Sequence, residues 1–96
     1  MVSYTIRVEL QEQTEEMRTK LLFTMLDNGF SKRVVCEKGF TYALPTDEFV
    51  YVSNENITVL MKRLVSLLSS FTENPILLIT RSEERCWSSL RVVHLE

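Results

Sequence analysis

Glu9 closes an alternating run, "VSYTIRVEL", in which Arg7 stands two residues earlier on the same side. An acid and a guanidinium so placed can serve one phosphodiester. The carboxylate takes a proton as general base or ligates a metal, while the guanidinium holds a phosphate oxygen. The same pair more often forms a surface ion pair worth under about 1 kcal/mol. Lys32-Arg33 and Arg81-Ser82 begin or end predicted strands, where side chains meet a ligand or simply remain solvated. Arg85, Trp87 and Arg91 set one indole between cations, a pattern suited to base stacking. More often, a lone tryptophan at this spacing is an aromatic anchor that fastens a C-terminal segment to the core.

Other chemistries lack their residues. His94 is the sole histidine, which excludes a histidine triad, a histidine-based zinc site and a two-histidine nuclease. Cys36 and Cys86 have no CxxC or Cys/His spacing and read as two reduced, structural thiols. Gly29 and Gly39 are too far apart to cradle a phosphate before a helix. No cofactor is called for, and use of a divalent metal at Glu9 stays open. The formal charge of −2 and pI near 5.4 argue against a nonspecific nucleic-acid coat, yet leave room for a local basic patch. No apolar stretch approaches the roughly 18 residues of a membrane span, and no cationic start precedes a hydrophobic run. A cytoplasmic protein with no membrane partner is the expectation. The final Leu95-Glu96 resembles a cloning scar, so residues 1–94 are read as one domain.

The elements that must position these residues follow from periodicity. In "VSYTIRVEL", Val2, Tyr4, Ile6, Val8 and Leu10 point one way and Ser3, Thr5, Arg7 and Glu9 the other, which predicts a half-buried strand. "TEEMRTKLLFTMLDNGF" predicts a helix with Thr14 as N-cap, Glu15 and Glu16 at the positive end of its dipole, and Met17, Leu21 and Met25 in the buried row. Gly29 should end it in the left-handed conformation, with Phe30 folding back on the last turn. "SKRVVCE" and "FTYAL" predict a hairpin turning at Lys38-Gly39, and Pro45 takes the chain out of it. "DEFVYVS" is a further strand. A second helix, "ITVLMKRLVSLLSSF", follows cap residues within 54–56; it buries Ile57, Leu60, Met61, Leu64, Leu68 and Phe71 and turns Lys62, Arg63, Ser66 and Ser70 outward. Asn74-Pro75 launches "ILLIT", apolar on both faces.

This order predicts an α+β chain. Two helices on one face of a mainly antiparallel sheet give a ferredoxin-like βαββαβ sandwich with an added β-hairpin. Such a fold leaves one sheet face uncovered, with Arg7 and Glu9 on it. Apolar residues there predict a homodimer that hides Leu77 or Ile79 with part of "FVYV".

"SYTIRVEL", the helix ending "NGFSK", the block "GFTYALPTDEFVYVS" and "ILLITRSEERCW" together resemble the small GhoS family over most of residues 3–87. The resemblance implies a ferredoxin-like fold and endoribonuclease activity. It implies the role of antitoxin in a type V toxin–antitoxin system, cutting the messenger RNA of a small membrane toxin. That family is in turn similar to CRISPR-associated adaptation nucleases, which carry an acid at the end of the first strand. Glu9 stands at that place, with glutamate where aspartate is usual. Of the basic residues the namesake carries along its first helix, Arg18 and Lys20 remain, and Leu22 interrupts the pattern. Two functions therefore stand side by side. One is an endoribonuclease with Glu9 as catalytic base and Arg7, Arg33 and Arg81 around the scissile phosphate. RNA then supplies its own 2′-hydroxyl nucleophile, and the cations steady the phosphorane. The other is a noncatalytic dimeric module binding RNA or protein through the same face.

Overall fold

The computed structural model describes residues 1–93; His94, Leu95 and Glu96 lie outside the described residues. The chain runs β1 (Val2–Glu9), α1 (Glu15–Asp27), β2 (Arg33–Val35), β3 (Thr41–Ala43), β4 (Glu48–Ser53), α2 (Ile57–Leu68) and β5 (Ile76–Ser82). β1 lies at the centre of a three-stranded sheet ordered β4-β1-β5, antiparallel to both neighbours. β2 and β3 form a separate antiparallel hairpin. The chain joins the two sheets at Ser31 and Val50, whose amides and carbonyls exchange two hydrogen bonds of 2.8 Å.

The alternation in β1 sorts its side chains as expected. Tyr4, Ile6, Val8 and Leu10 are buried beneath the helices, beside Phe49 and Ile79. Leu21 and Met25 of α1 and Leu60, Leu64 and Leu68 of α2 close the core from the other side. Ile57 departs from its predicted burial and is 40% exposed at the start of α2.

The caps explain where the helices begin and end. The Thr14 hydroxyl accepts from Met17 N at 3.2 Å. Asn56 Oδ1 accepts from Thr58 N and Val59 N. After Asn28, Gly29 takes φ +88°, its amide donates to the Leu26 carbonyl, and Phe30 N donates to Met25 O. These two bonds are the paired closure of a Schellman motif, which needs a left-handed residue at that position. Gly39 takes φ +87° in the hairpin turn, where Cys36 N donates to Phe40 O and Gly39 N to Cys36 O.

The C-terminal segment crosses the molecule and extends the hairpin. Val92 bridges Tyr42, Ala43 N donates to Arg91 O, and Val93 N donates to Thr41 O. On β5, Ile79 is buried among the core residues while Ile76 and Leu78 are 48% and 61% exposed. The exposed apolar residues on the uncovered face are thus Ile76 and Leu78, with Val52 of β4, rather than Leu77 or Ile79. A strand apolar on both faces reveals its orientation only through its register, here Ile6 opposite Ile79 and Arg7 opposite Leu78.

Candidate nucleic-acid interface

The face of the sheet turned away from the helices carries Ser3, Thr5, Arg7 and Glu9 from β1, flanked in register by Glu48 and Val50 on β4 and by Ile76, Leu78 and Thr80 on β5. At the Ser3 end a groove of about 880 Å³ opens between this face, the hairpin and the C-terminal segment. Arg33 enters it from the start of β2, Lys38 from the hairpin turn, and Arg85 and Trp87 from the C-terminal segment; Glu37 is its one acid. Arg85 lies across the sheet, with Nε donating to Thr5 Oγ1 at 2.9 Å and Nη2 to Ser3 Oγ at 3.0 Å. Burial moves its pKa below the ordinary guanidinium value, which is high enough that the group stays charged. The Trp87 ring tilts at 56° against Tyr42, with centroids 5.5 Å apart, and stays partly exposed. Three cations and an indole in one open groove form a set that can hold phosphates and stack a base.

Arg7 and Glu9 are exposed further along the same face. Glu9 stands six residues from Ser3, which at strand spacing is about 20 Å away. Among the described residues the ion pair within 4.0 Å is Arg63–Glu55, so Arg7 and Glu9 are not tied to each other. Arg81 is opposite Tyr4 in register and so belongs to the helix-covered face, exposed near the end of β5. Of the four residues singled out from the sequence, Arg7 and Glu9 share the uncovered face, Arg33 begins the hairpin two residues beyond the Ser31–Val50 bridge, and Arg81 belongs to the opposite face. Among the described residues no three of His, Cys, Asp and Glu cluster. Cys36 and Cys86 both line the groove as free thiols, partly or fully exposed, and are not core residues.

The densest polar network lies elsewhere, at the turn between β4 and α2. Arg63 donates from Nε to Glu55 Oε2 at 3.0 Å and from Nη2 to Glu55 Oε1 at 2.9 Å. Nη2 also donates to Tyr51 OH, which donates in turn to Glu55 Oε1 at 2.8 Å. Ser53 Oγ adds a fourth bond to that carboxylate, and Tyr4 OH donates to the Glu55 carbonyl at 2.6 Å. The hydrogen bonds from Arg63 first, then those from Tyr51 and Ser53, hold the Glu55 carboxyl below the usual carboxylate range. With both oxygens occupied, Glu55 is a fastening and not a base. Sequence periodicity sends Arg63 outward and misses this network, because its partners lie eight and twelve residues away across a helix cap.

Lys32 is also committed to structure. Its ammonium donates to the carbonyls of Pro45, Thr46 and Glu48 at 2.6–2.9 Å, which uses all three of its protons. It sits 4.7 Å from the Phe49 ring centre. Burial lowers its pKa, and the charges of Asp47 and Glu48 partly restore it.

Comparisons with protein-family models, with curated proteins and with solved structures returned no match to this chain.

Proposed function

We propose that this protein binds single-stranded RNA across the uncovered face of its sheet, on a ferredoxin-like βαββαβ scaffold with an added hairpin. The strand order β4-β1-β5 supports that scaffold, and so does the isolated Ser31–Val50 bridge, which sets the chain leading into β2 beside β4. One observation carries the function: Arg33, Lys38, Arg85 and Trp87 converge on one groove of a chain whose net charge is −2. The cations meet phosphates and the indole takes a base, and a groove walled by the hairpin and the C-terminal segment suits a single strand better than a duplex. Fluorescence titration of Trp87 with short single-stranded RNAs tests it. Saturable quenching is expected, with an affinity that falls with salt at a log–log slope of roughly −2 for three phosphate contacts. Arg33→Ala should weaken binding and flatten that slope by about 0.7. Unchanged Trp87 emission and no retardation of RNA at low salt would overturn it.

A second reading rests on Arg7 and Glu9. Both are exposed and untied on the same face, four and six residues along β1 from Ser3, or about 13 and 20 Å. RNA held in the groove and laid along β1 meets them, with Glu9 as general base and Arg7 on the phosphate. That makes the protein an endoribonuclease, as the GhoS-like spacing implies. A homodimer joined through the exposed Ile76 and Leu78 on the edge strand β5 leaves the groove at the Ser3 end open and so fits the binding reading, but it crowds Arg7 and Glu9, which stand opposite those two residues.

A further inference from the structure

A second cavity, of about 780 Å³, opens on the other side of the hairpin, between α1, the ends of β1 and β4, and the C-terminal segment. Its interior is aliphatic: Val8, Leu21, Leu22 and Leu44 line it with Phe49, whose ring is 1% exposed and lies under the Lys32 ammonium. It therefore offers no free aromatic face for a base. Arg18, Arg33 and Arg91 stand on its lining, with Lys32, Glu15 and Asp47. Lys32 has spent its protons on three carbonyls, and Asp47 offsets its charge. Glu15 lies in the first turn of α1, where it answers the helix dipole. Arg18 donates one hydrogen bond, to Gln13 Oε1 at 2.9 Å, while among the described residues Arg33 and Arg91 donate none from their guanidinium groups. Four cations against two acids leave the lining at +2, and the three guanidiniums are the cations free to pair with a ligand around the aliphatic interior.

We propose that this cavity binds a free aliphatic carboxylate of medium chain length, its methylenes on the leucines and its carboxylate on Arg18, Arg33 and Arg91. The volume falls in the range of small-molecule sites, and the division into an apolar interior and a few convergent polar groups is the pattern of such sites. A guanidinium pairs with a carboxylate through two parallel hydrogen bonds, which gives the head group its direction. The site is distinct from the RNA groove on the far side of the hairpin; Arg33 and Ser31 are the residues common to the two linings.

The test is calorimetric titration of the full chain with hexanoate, octanoate and decanoate, each below its micellar concentration, and with decanol. Saturable binding of one ligand per chain is expected, its affinity rising about fourfold for each added methylene. Decanol should bind at least tenfold more weakly than decanoate. Arg91→Glu, at an exposed position, should weaken decanoate about tenfold, and Leu22→Glu should abolish binding, each with an unchanged circular dichroism spectrum. Lys38→Ala, which lies in the RNA groove alone, should leave decanoate binding as it was. Absence of saturation overturns the proposal, as does an affinity independent of chain length or equal for decanol and decanoate. RNA binding by the same protein is judged apart from this through Lys38, since Arg33 is common to both sites.

Discussion

Arg85 donates from Nε to the hydroxyl of Thr5, 2.9 Å away and 80 residues earlier in the chain. Its second bond, to Ser3, makes it a clasp holding the C-terminal segment over the central strand. Arg85→Ala should therefore loosen that segment. A charge-assisted hydrogen bond is worth about 1.5–3 kcal/mol. The amides of Ala43 and Val93, which join the hairpin to the segment, should exchange faster with deuterium, while those of β1 and β4 keep their protection. Unchanged exchange at Ala43 and Val93 would show that Trp87 and the backbone bonds suffice.

The Glu55–Arg63 network predicts how stability depends on pH. The folded protein holds the Glu55 carboxyl below its ordinary value, so the carboxylate form stabilises the fold. That contribution is fully present above the unfolded value of about 4.3 and is lost as pH falls through the lower folded value. With side chains 25% and 37% exposed, the pair contributes about 1 kcal/mol and not more. Urea denaturation of Glu55→Gln should show a loss of that size at pH 7 that narrows toward pH 3. A constant difference across that range would assign the loss to packing instead.

Gly29→Ala should destabilise by about 1 kcal/mol, because φ +88° is strained for any residue with a Cβ. Space is not the obstacle, since an added Cβ would meet Tyr51 Cε1 at an ordinary 3.6 Å. Gly29→Asn should lose less, asparagine being the residue that best tolerates this conformation after glycine. Equal stability of all three proteins in urea would contradict the strain argument.

Glu9→Gln separates binding from cleavage. If the protein is an endoribonuclease with Glu9 as base, the variant should fold, bind RNA and cut it roughly 100-fold more slowly. Equal rates in the folded variant would remove Glu9 from the mechanism. No cleavage of a single-stranded RNA panel by the native chain, with and without divalent metal, would leave the binding function alone.

Much of the framework was legible in the sequence because it depends on local rules. Thr14, Gly29 and Gly39 have short-range jobs, and the alternation of β1 needs only its own eight residues to declare two faces. What depended on register was not legible. Arg81 and Arg7 sit on opposite faces because Tyr4, not Thr5, is opposite Arg81, a one-residue matter that no composition reveals. The groove was half-legible: Arg85 and Trp87 stood out as cations beside an indole, but their meeting with Arg33 depends on where the hairpin docks. The cation at Lys32 looked available for a ligand, yet three carbonyls from the chain after the hairpin consume it. Phe23, 59% exposed on α1, shows that even a good helical stripe does not account for every apolar residue.

The position of β1 also bears on how the chain is made. Of the three strands in its sheet it is the first to leave the ribosome, and it is the one that both others need. Its last partner arrives late, for Ser3 pairs with Ser82. At 5–20 residues per second, that interval lasts about 4–16 s. Throughout it, an alternating apolar strand waits with at least one edge unpaired, and such edges invite pairing with other chains. α1 emerges next and can shelter the apolar side, but it cannot satisfy the backbone. Slowed translation between residues 53 and 76 should therefore lower soluble yield more than the stability of the finished protein would suggest, and the newborn chain, not the folded one, would be the natural client of a chaperone.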